Sequence, residues 1–246
     1  MTYRSGIVQL LTLFLFACGG GGASTQTPPT PNTPAPSNPG NGGTPDTLYP
    51  DYNTTPQPAD MTGMEKDAQQ IAAEIRLGWN IGNTMEATGG ETAWGNPEVS
   101  AALIKLVKDS GFNAIRIPLA WNQYADQDSA KIDDAWLDRV HEVVQMCIDE
   151  NLYVLVNIHW DGGWLENNVT TEQQDNVNAK QRAFWQQIAT KLRDFDQKLL
   201  FASANEPAVE DAEQMEVLLT YHQTFVDAVR ETGGKNAYRT LVVQGP

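Results

Sequence analysis

Past Asp60 the sequence alternates short apolar runs with longer amphipathic segments, and this alternation constrains the fold more than any other feature. Strands are expected near residues 75–81, 114–118, 153–158, 199–204 and 240–244. Helices are expected near residues 97–110, 134–150, 172–194 and 212–232. An earlier helix should open at Thr62-Gly63-Met64-Glu65, whose Thr and Glu have capping-box spacing, and run to about Ala73. Asn96 before Pro97 marks a helix start, while Gly111 and Gly233-Gly234 mark ends. Strands that are apolar throughout and each followed by a helix must be covered on both faces, which means a parallel sheet under helices.

Two architectures use such a repeat, the eight-fold barrel and the doubly wound sheet. Spacings of 37, 43, 47 and 38 residues separate Trp79, Arg116, His159, Glu206 and Gln244, the markers of five successive strand ends. The first strand leads into Gly78-Trp79-Asn80-Ile81-Gly82-Asn83, which lacks the spacing of a dinucleotide-binding glycine fingerprint. Polar and aromatic residues instead crowd the C-terminal end of every strand, as in barrel enzymes. The expected fold is therefore an α/β (β/α)8 barrel, truncated after its fifth strand.

The segment before this repeat has a different character. Residues 1–17 carry one cation, Arg4, no acid, and the apolar run IVQLLTLFLFA. Eleven such residues are too few to span a bilayer and suit the core of an export signal. The run ends in Leu15-Phe16-Ala17-Cys18, which resembles a bacterial lipoprotein signal with Cys18 as the lipidated first residue; Phe16 is bulky for that motif, so ordinary cleavage with secretion is the alternative. Residues 18–60 are dominated by Gly, Pro, Ser, Thr and Asn, and read as a disordered linker with too little apolar surface to offset its ordering entropy. Residues 61–246 form the expected α/β domain, incomplete at its C-terminus. Cys147 then stands alone, as a buried free thiol on a helix.

Charge narrows the partners. Sixteen cations against 31 acids leave a formal charge of −15, which opposes nucleic acid and anionic membrane surfaces. Neutral sugars carry no such penalty. Contact with a membrane is expected only through the N-terminal lipid, and the chain is expected to act as a monomer.

The chemistry points the same way. Ala204-Asn205-Glu206-Pro207 puts a carboxylate at the end of the fourth strand of the repeat, where Pro207 turns the chain and Glu206 is placed for general acid/base work. Arg116, His159 and the Asn80/Asn83 pair fall at other strand ends, and an Arg or His in an apolar strand is costly unless paired. Pairing on one rim would satisfy all of them. Five of the seven tryptophans (Trp79, Trp94, Trp121, Trp160, Trp164) lie at or just past strand ends, where flat indoles can cover pyranose faces. Trp94 and Trp164 are the chosen cleft residues. Glu86, Glu91 and Asp161 follow other strands and read as loop hydrogen-bonders or solvent-facing acids. His141 and His222 fall on helices and read as packing or surface residues. No zinc-ligand spacing or calcium-loop pattern occurs, so no metal or other cofactor is expected.

These residues resemble glycoside hydrolase family 5, and most closely its subfamily 4 endoglucanases. The resemblance rests on LGWNIGNT at 77–84, ETAWGNP at 91–97, GFNAIRIP at 111–118, IHWDGGW at 158–164 and Asn205-Glu206-Pro207, in the family's order and spacing. It implies a (β/α)8 barrel that hydrolyses β-1,4-glycosidic bonds with retention. By that likeness Glu206 is the acid/base, Arg116 holds the nucleophile's carboxylate, His159 lines the cleaved-bond subsite, and Asn205 binds the 2-hydroxyl. Asn83, Trp94 and Trp164 join Arg116, His159 and Asn205 as expected substrate-binding residues. Many relatives carry a second His where this chain has Trp160. The family also places its nucleophilic Glu on strand seven, beyond Pro246. The expected partner is a β-glucan or cello-oligosaccharide, met outside the cell. Xyloglucanase, mannanase or xylanase activity is an alternative within the family, and a non-catalytic surface sugar-binder is an alternative outside it.

Overall fold

The computed structural model describes residues 48–245. The expected export signal, Cys18 and the first part of the linker lie outside them. The elements run β1 (Gln57–Ala59), α1 (Ala68–Glu74), β2 (Gly78–Asn80), α2 (Ala101–Asp109), β3 (Ala114–Ile117), α3 (Asp134–Asp149), β4 (Tyr153–Asn157), α4 (Gln174–Lys191), β5 (Leu199–Ala202), α5 (Ala212–Glu231), β6 (Gly233–Gly234) and β7 (Leu241–Val242).

Five strands pair in parallel in the order β2-β3-β4-β5-β7, so each strand lies beside its predecessor in the chain. A doubly wound sheet reverses its strand order at a switch point; this one does not. It is the consecutive strand arrangement of part of a (β/α)8 barrel, as expected.

Period-two alternation divides the sheet's faces. Ile115, Ile117, Val154, Val156, Leu199 and Phe201 pack with the helices, including Ile104, Val140, Val144, Phe184, Ile188 and Phe225, in the largest core cluster. The intervening residues Ala114, Tyr153 and Leu200 join Ile71 of α1 in a small cluster with Leu155 and Val242. Arg116 shares the face of Ala114. The inner face is thus apolar where α1 packs and polar toward the strands' C-terminal ends.

Cys147 is a buried free thiol on α3, pushed up to about 12 by burial. Among the described residues, no helix is long and apolar enough to cross a membrane.

Three expectations are corrected. Residues 48–60 are folded, so the linker does not extend to Asp60: Tyr49 and Tyr52 pack on the core, and the Tyr52 hydroxyl donates to the Ser129 carbonyl at 2.8 Å. Two tyrosines supply the apolar surface that the rest of the linker lacks. β1 also pairs with β6, where a Cβ on Gly233 would come 1.8 Å from the Gln57 carbonyl oxygen. Second, α1 opens at Ala68 and not at Thr62. Gly63 takes φ +75°, Glu65 accepts the Gly63 N–H, and Asp67 and Gln70 form the reciprocal cap. Third, α2 opens at Ala101 under a Ser100 cap, because the Val99 N–H is taken by Glu91 at 2.7 Å.

Candidate active site

The rim where the strands end gathers side chains from four of them. Asn80 closes β2, and in register beside it stands Arg116 of β3. Arg116 Nη1 donates to Asn80 Oδ1 at 3.0 Å. Its Nη2 donates to Asn205 Oδ1 at 2.5 Å and reaches His159 Nδ1 at 3.4 Å. Burial pulls the guanidinium below its ordinary pKa, while the charges of Glu86, Glu206 and Glu166 work the other way.

His159 follows β4, and its backbone N–H donates to the Leu119 carbonyl at 3.0 Å. Burial, then the neighbouring Arg116 charge, pushes it down to about 4. Arginine can only donate, so the neutral imidazole accepts at Nδ1 and keeps its proton on Nε2. Of the residues expected to pair on one rim, Asn80, Arg116 and His159 do, with Asn205 joining them, whereas the Asn83 side chain makes no hydrogen bond with the cluster.

Glu206 is exposed and Asn205 half-buried, just past β5. The strand end beneath them is anchored: Ser203 N–H donates to the Val242 carbonyl at 3.1 Å. Ser203 Oγ meets His222 Nδ1 at 2.8 Å, and His222 Nε2 donates to the Gln244 carbonyl at 2.8 Å. His222 is thereby a packing residue, as expected for a histidine on a helix. His141 stacks at a tilt on Phe195 with ring centroids 4.8 Å apart.

One carboxylate had no signal in the sequence. Glu166, two residues past the IHWDGGW segment, is 4% exposed. Its carboxylate accepts the Glu206 N–H at 2.9 Å, and its backbone carbonyl accepts the Ala208 N–H at 3.0 Å. Burial pushes its pKa up, hydrogen bonds from Glu206 and Asn205 pull it down, and the Glu206 charge adds to the rise.

The acids read as loop hydrogen-bonders serve that role. Glu86 accepts the N–H groups of Asn83 and Thr84 at 2.6 and 3.0 Å. Glu91 takes Arg139 in a two-point contact at 3.0 and 2.9 Å. Asp161 accepts the N–H of Trp121 at 2.5 Å and that of Asn122, tying the loop after β3 to the loop after β4. Burial pushes it up to about 6 against those bonds. Gly162 and Gly163, both at positive φ, make the tight turn this contact needs.

The remaining candidates are placed unequally. Asn83 is exposed at φ +62°, with its carbonyl held by Asn96 at 3.1 Å. Trp94 is 51% exposed and Trp160 47%. Trp164 is half-buried: its ring meets Phe184 edge-on at 5.3 Å, and Lys180 Nζ lies 5.5 Å from its centroid. Lys180, also unsignalled in the sequence, donates to Asn122 Oδ1 at 2.8 Å. Trp79 is half-buried, while Trp121 is fully buried and donates to the Asn157 carbonyl. Among the described residues, no group of three or more His, Cys, Asp or Glu side chains is arranged to hold a metal ion.

The strand-end rim of Asn80, Arg116, His159, Asn205 and Glu206 is the candidate site of this partial parallel barrel. The family model described as cellulase (glycosyl hydrolase family 5) matches residues 80–246. The chain belongs to glycoside hydrolase family 5. It is 40% identical over 203 residues to a xyloglucan-specific endo-β-1,4-glucanase of Bacteroides ovatus, covering 75% of this chain and 40% of the relative. It is 40% identical over 187 residues to endoglucanase B of Clostridium cellulovorans, covering 72% and 42%. The structure superposes on a Bacteroides ovatus family 5 xyloglucanase in complex with a XXXG heptasaccharide, with TM-score 0.74, 37% identity, and coverage of 80% of this chain and 46% of that one. It also superposes on a GH5-4 broad-specificity endoglucanase from Clostridium acetobutylicum, with TM-score 0.70, 34% identity, and coverage of 73% and 57%. The chain spans about two-fifths of the length of these two curated relatives.

Proposed function

We propose that this chain supplies the acid/base half of a retaining endo-β-1,4-glucanase acting on cellulose-type β-glucans. The observation that carries the reading is the contact of Arg116 with Asn205, which sets Glu206 beside a cation already shared with Asn80 and His159. Membership of family 5 and relatives named endoglucanases and xyloglucanase support it.

In this reading Glu206 protonates the glycosidic oxygen and later takes a proton from the attacking water. Asn205 meets the 2-hydroxyl, and Arg116 steadies the carboxylate that attacks the sugar. Retention requires two carboxyl groups about 5–5.5 Å apart. Glu86, Glu91, Asp161 and Glu166 spend their carboxylates on backbone N–H groups or Arg139, so we assign the nucleophile to none of them and place it outside the described residues. Exposed Trp94 and Trp160 suit stacking on sugar rings. A polymeric substrate also fits export by the N-terminal apolar run.

The test is hydrolysis of carboxymethylcellulose, mixed-linkage β-glucan and xyloglucan by the full-length protein and its Glu206→Gln variant. The variant should lose about 10³-fold or more in kcat, as removal of an acid/base group does, with an unchanged circular dichroism spectrum. Unchanged turnover in a folded Glu206→Gln protein rejects the assignment. Relative rates on xyloglucan and carboxymethylcellulose decide the preferred glucan.

A further inference from the structure

We propose that Glu166 is a positioning residue for the acid/base turn. From the loop after β4 it holds the backbone of Glu206 and Ala208 on both sides of Pro207. The inference rests on the reading of Glu206 as the acid/base and extends it to a residue that touches no substrate.

The geometry carries it. Glu206 and Ala208 flank Pro207, which has no N–H to anchor the turn by itself. The Glu206 N–H goes to the Glu166 carboxylate at 2.9 Å and the Ala208 N–H to the Glu166 carbonyl at 3.0 Å. A single residue on a neighbouring loop therefore clasps the turn on both sides of the proline. Asn205 Oδ1 faces Arg116 Nη2 at 2.5 Å, so the residue before the clasped Glu206 is itself tied to the rim.

Glu166 is 4% exposed. A buried carboxylate without partners is strongly disfavoured, so its partners fix its place as firmly as it fixes theirs. Its backbone lies in a segment held by its own contacts: the Asn167 and Asn168 N–H groups donate to Gly163 and Leu165, and the Leu165 side chain is buried against Val169 and Tyr221. The clasp is therefore anchored on the molecule and not on the turn. Small displacements of a general acid cost rate steeply, because the proton must be delivered along a hydrogen bond to the leaving oxygen.

The experiment compares Glu166→Ala and Glu166→Gln in the full-length protein by three measurements: amide hydrogen exchange over residues 203–208, kcat and KM on a soluble β-glucan, and Tm. Glu166→Ala removes the carboxylate but keeps the backbone carbonyl, so exchange should speed at Glu206 by about tenfold, the worth of one hydrogen bond, and less at Ala208, whose acceptor is main chain. Its kcat should fall about 30-fold with KM within about threefold, as loss of transition-state alignment does. Glu166→Gln keeps an oxygen acceptor for the Glu206 N–H and should restore most of the exchange protection and part of kcat. Should Glu166→Ala fail to fold, Glu166→Asp, which withdraws the carboxylate by one methylene, takes its place.

Unchanged exchange at Glu206 overturns the proposal whatever the activity. So does a kcat loss equal in the Ala and Gln variants, or one that follows Tm alone. If exchange responds as expected but the wild-type protein cleaves none of the glucans, the clasp stands and the assignment of Glu206 falls.

Discussion

Two arginines of one sheet, Arg116 on β3 and Arg239 just before β7, show how this molecule separates a site from a scaffold. Arg239 is fully buried. Its Nε donates to Asn236 Oδ1 at 2.7 Å, and its two terminal nitrogens donate to the backbone carbonyls of Asp196, Leu199, Arg193 and Phe195 at 2.7–3.1 Å. The guanidinium also lies 5.0 Å from the centroid of Phe201. All five donors are used, and four of the acceptors are main-chain groups that cannot turn away without unfolding the loop. Arg116 is half-buried, and the three contacts described above all go to side chains, from Asn80, His159 and Asn205. Side-chain acceptors can rotate, exchange partners or admit a ligand. A cation fixed by main chain serves the fold; one fixed by side chains can serve chemistry.

That contrast can be broken most severely at Arg239. Arg239→Leu removes the guanidinium donors from the buried carbonyls of Arg193, Phe195 and Leu199, each costing about 1–3 kcal/mol when left unpaired, and from the Asp196 carbonyl, which keeps the Leu199 N–H; relaxation and water recover part of the sum. A net loss of about 4 kcal/mol is expected, or roughly 10 °C in Tm for a domain of this size. Calorimetry checks it, and a drop below about 2 °C would show that the carbonyls find other donors.

Arg116→Gln should invert the pattern. Its acceptors are near solvent, so Tm should shift by only about 3 °C or less. Loss of the cation should lower kcat/KM about 100-fold in the proposed reaction, a transition-state loss of about 2.7 kcal/mol. Arg116→Lys should recover little, because one ammonium cannot reproduce a fork that reaches three partners. A large Tm loss with little kinetic effect would make Arg116 a second Arg239.

The smallest effect concerns pH. Folded His159 is pushed down to about 4, below the unfolded value of about 6.5. As pH falls from 6.5 toward 4 the unfolded chain takes up a proton that the folded ring refuses, so the wild-type protein loses stability across that window. Below about 4 the loss is complete. His159→Gln has no such titration, and its Tm relative to wild type should therefore rise as pH is lowered from 7 to 4. A difference independent of pH would mean that His159 protonates as readily in the fold as in solution. Measuring both proteins in the same buffers cancels Asp161, whose raised value acts with the opposite sign.

Much of this was legible in the residues. Strand runs such as YVLVN are apolar on both faces, which forces a covered parallel sheet, and polar residues at their C-terminal ends foretold the rim. Pairing of Arg116 and His159 followed from the cost of leaving such groups unpartnered in apolar strands. Boundaries were less legible where side chains from distant segments intervened. The strand expected from residue 75 begins at Gly78, because Asn113 Oδ1 takes the N–H groups of Arg76 and Leu77 at 2.9 and 3.0 Å. Pro97 looked like a helix start, but the Arg139–Glu91 contact recruits Val99 into the loop before α2.

The sequence by itself determined the class: a repeating strand–helix order, a carboxylate followed by proline at a strand end, and the segments that belong to family 5. These are local, carried by hydrophobic period and by short motifs, so they survive without coordinates. Only the tertiary structure decided which acids are committed to backbone amides, that Tyr49 and Tyr52 draw residues 48–60 onto the core, and that Glu166 reaches the acid/base turn. Those outcomes depend on which segments meet across the fold. Glu166 and Glu206 stand 40 residues apart, and no pattern around either one names the other. Their meeting is set by the parallel pairing of β4 and β5, which brings the two following loops side by side.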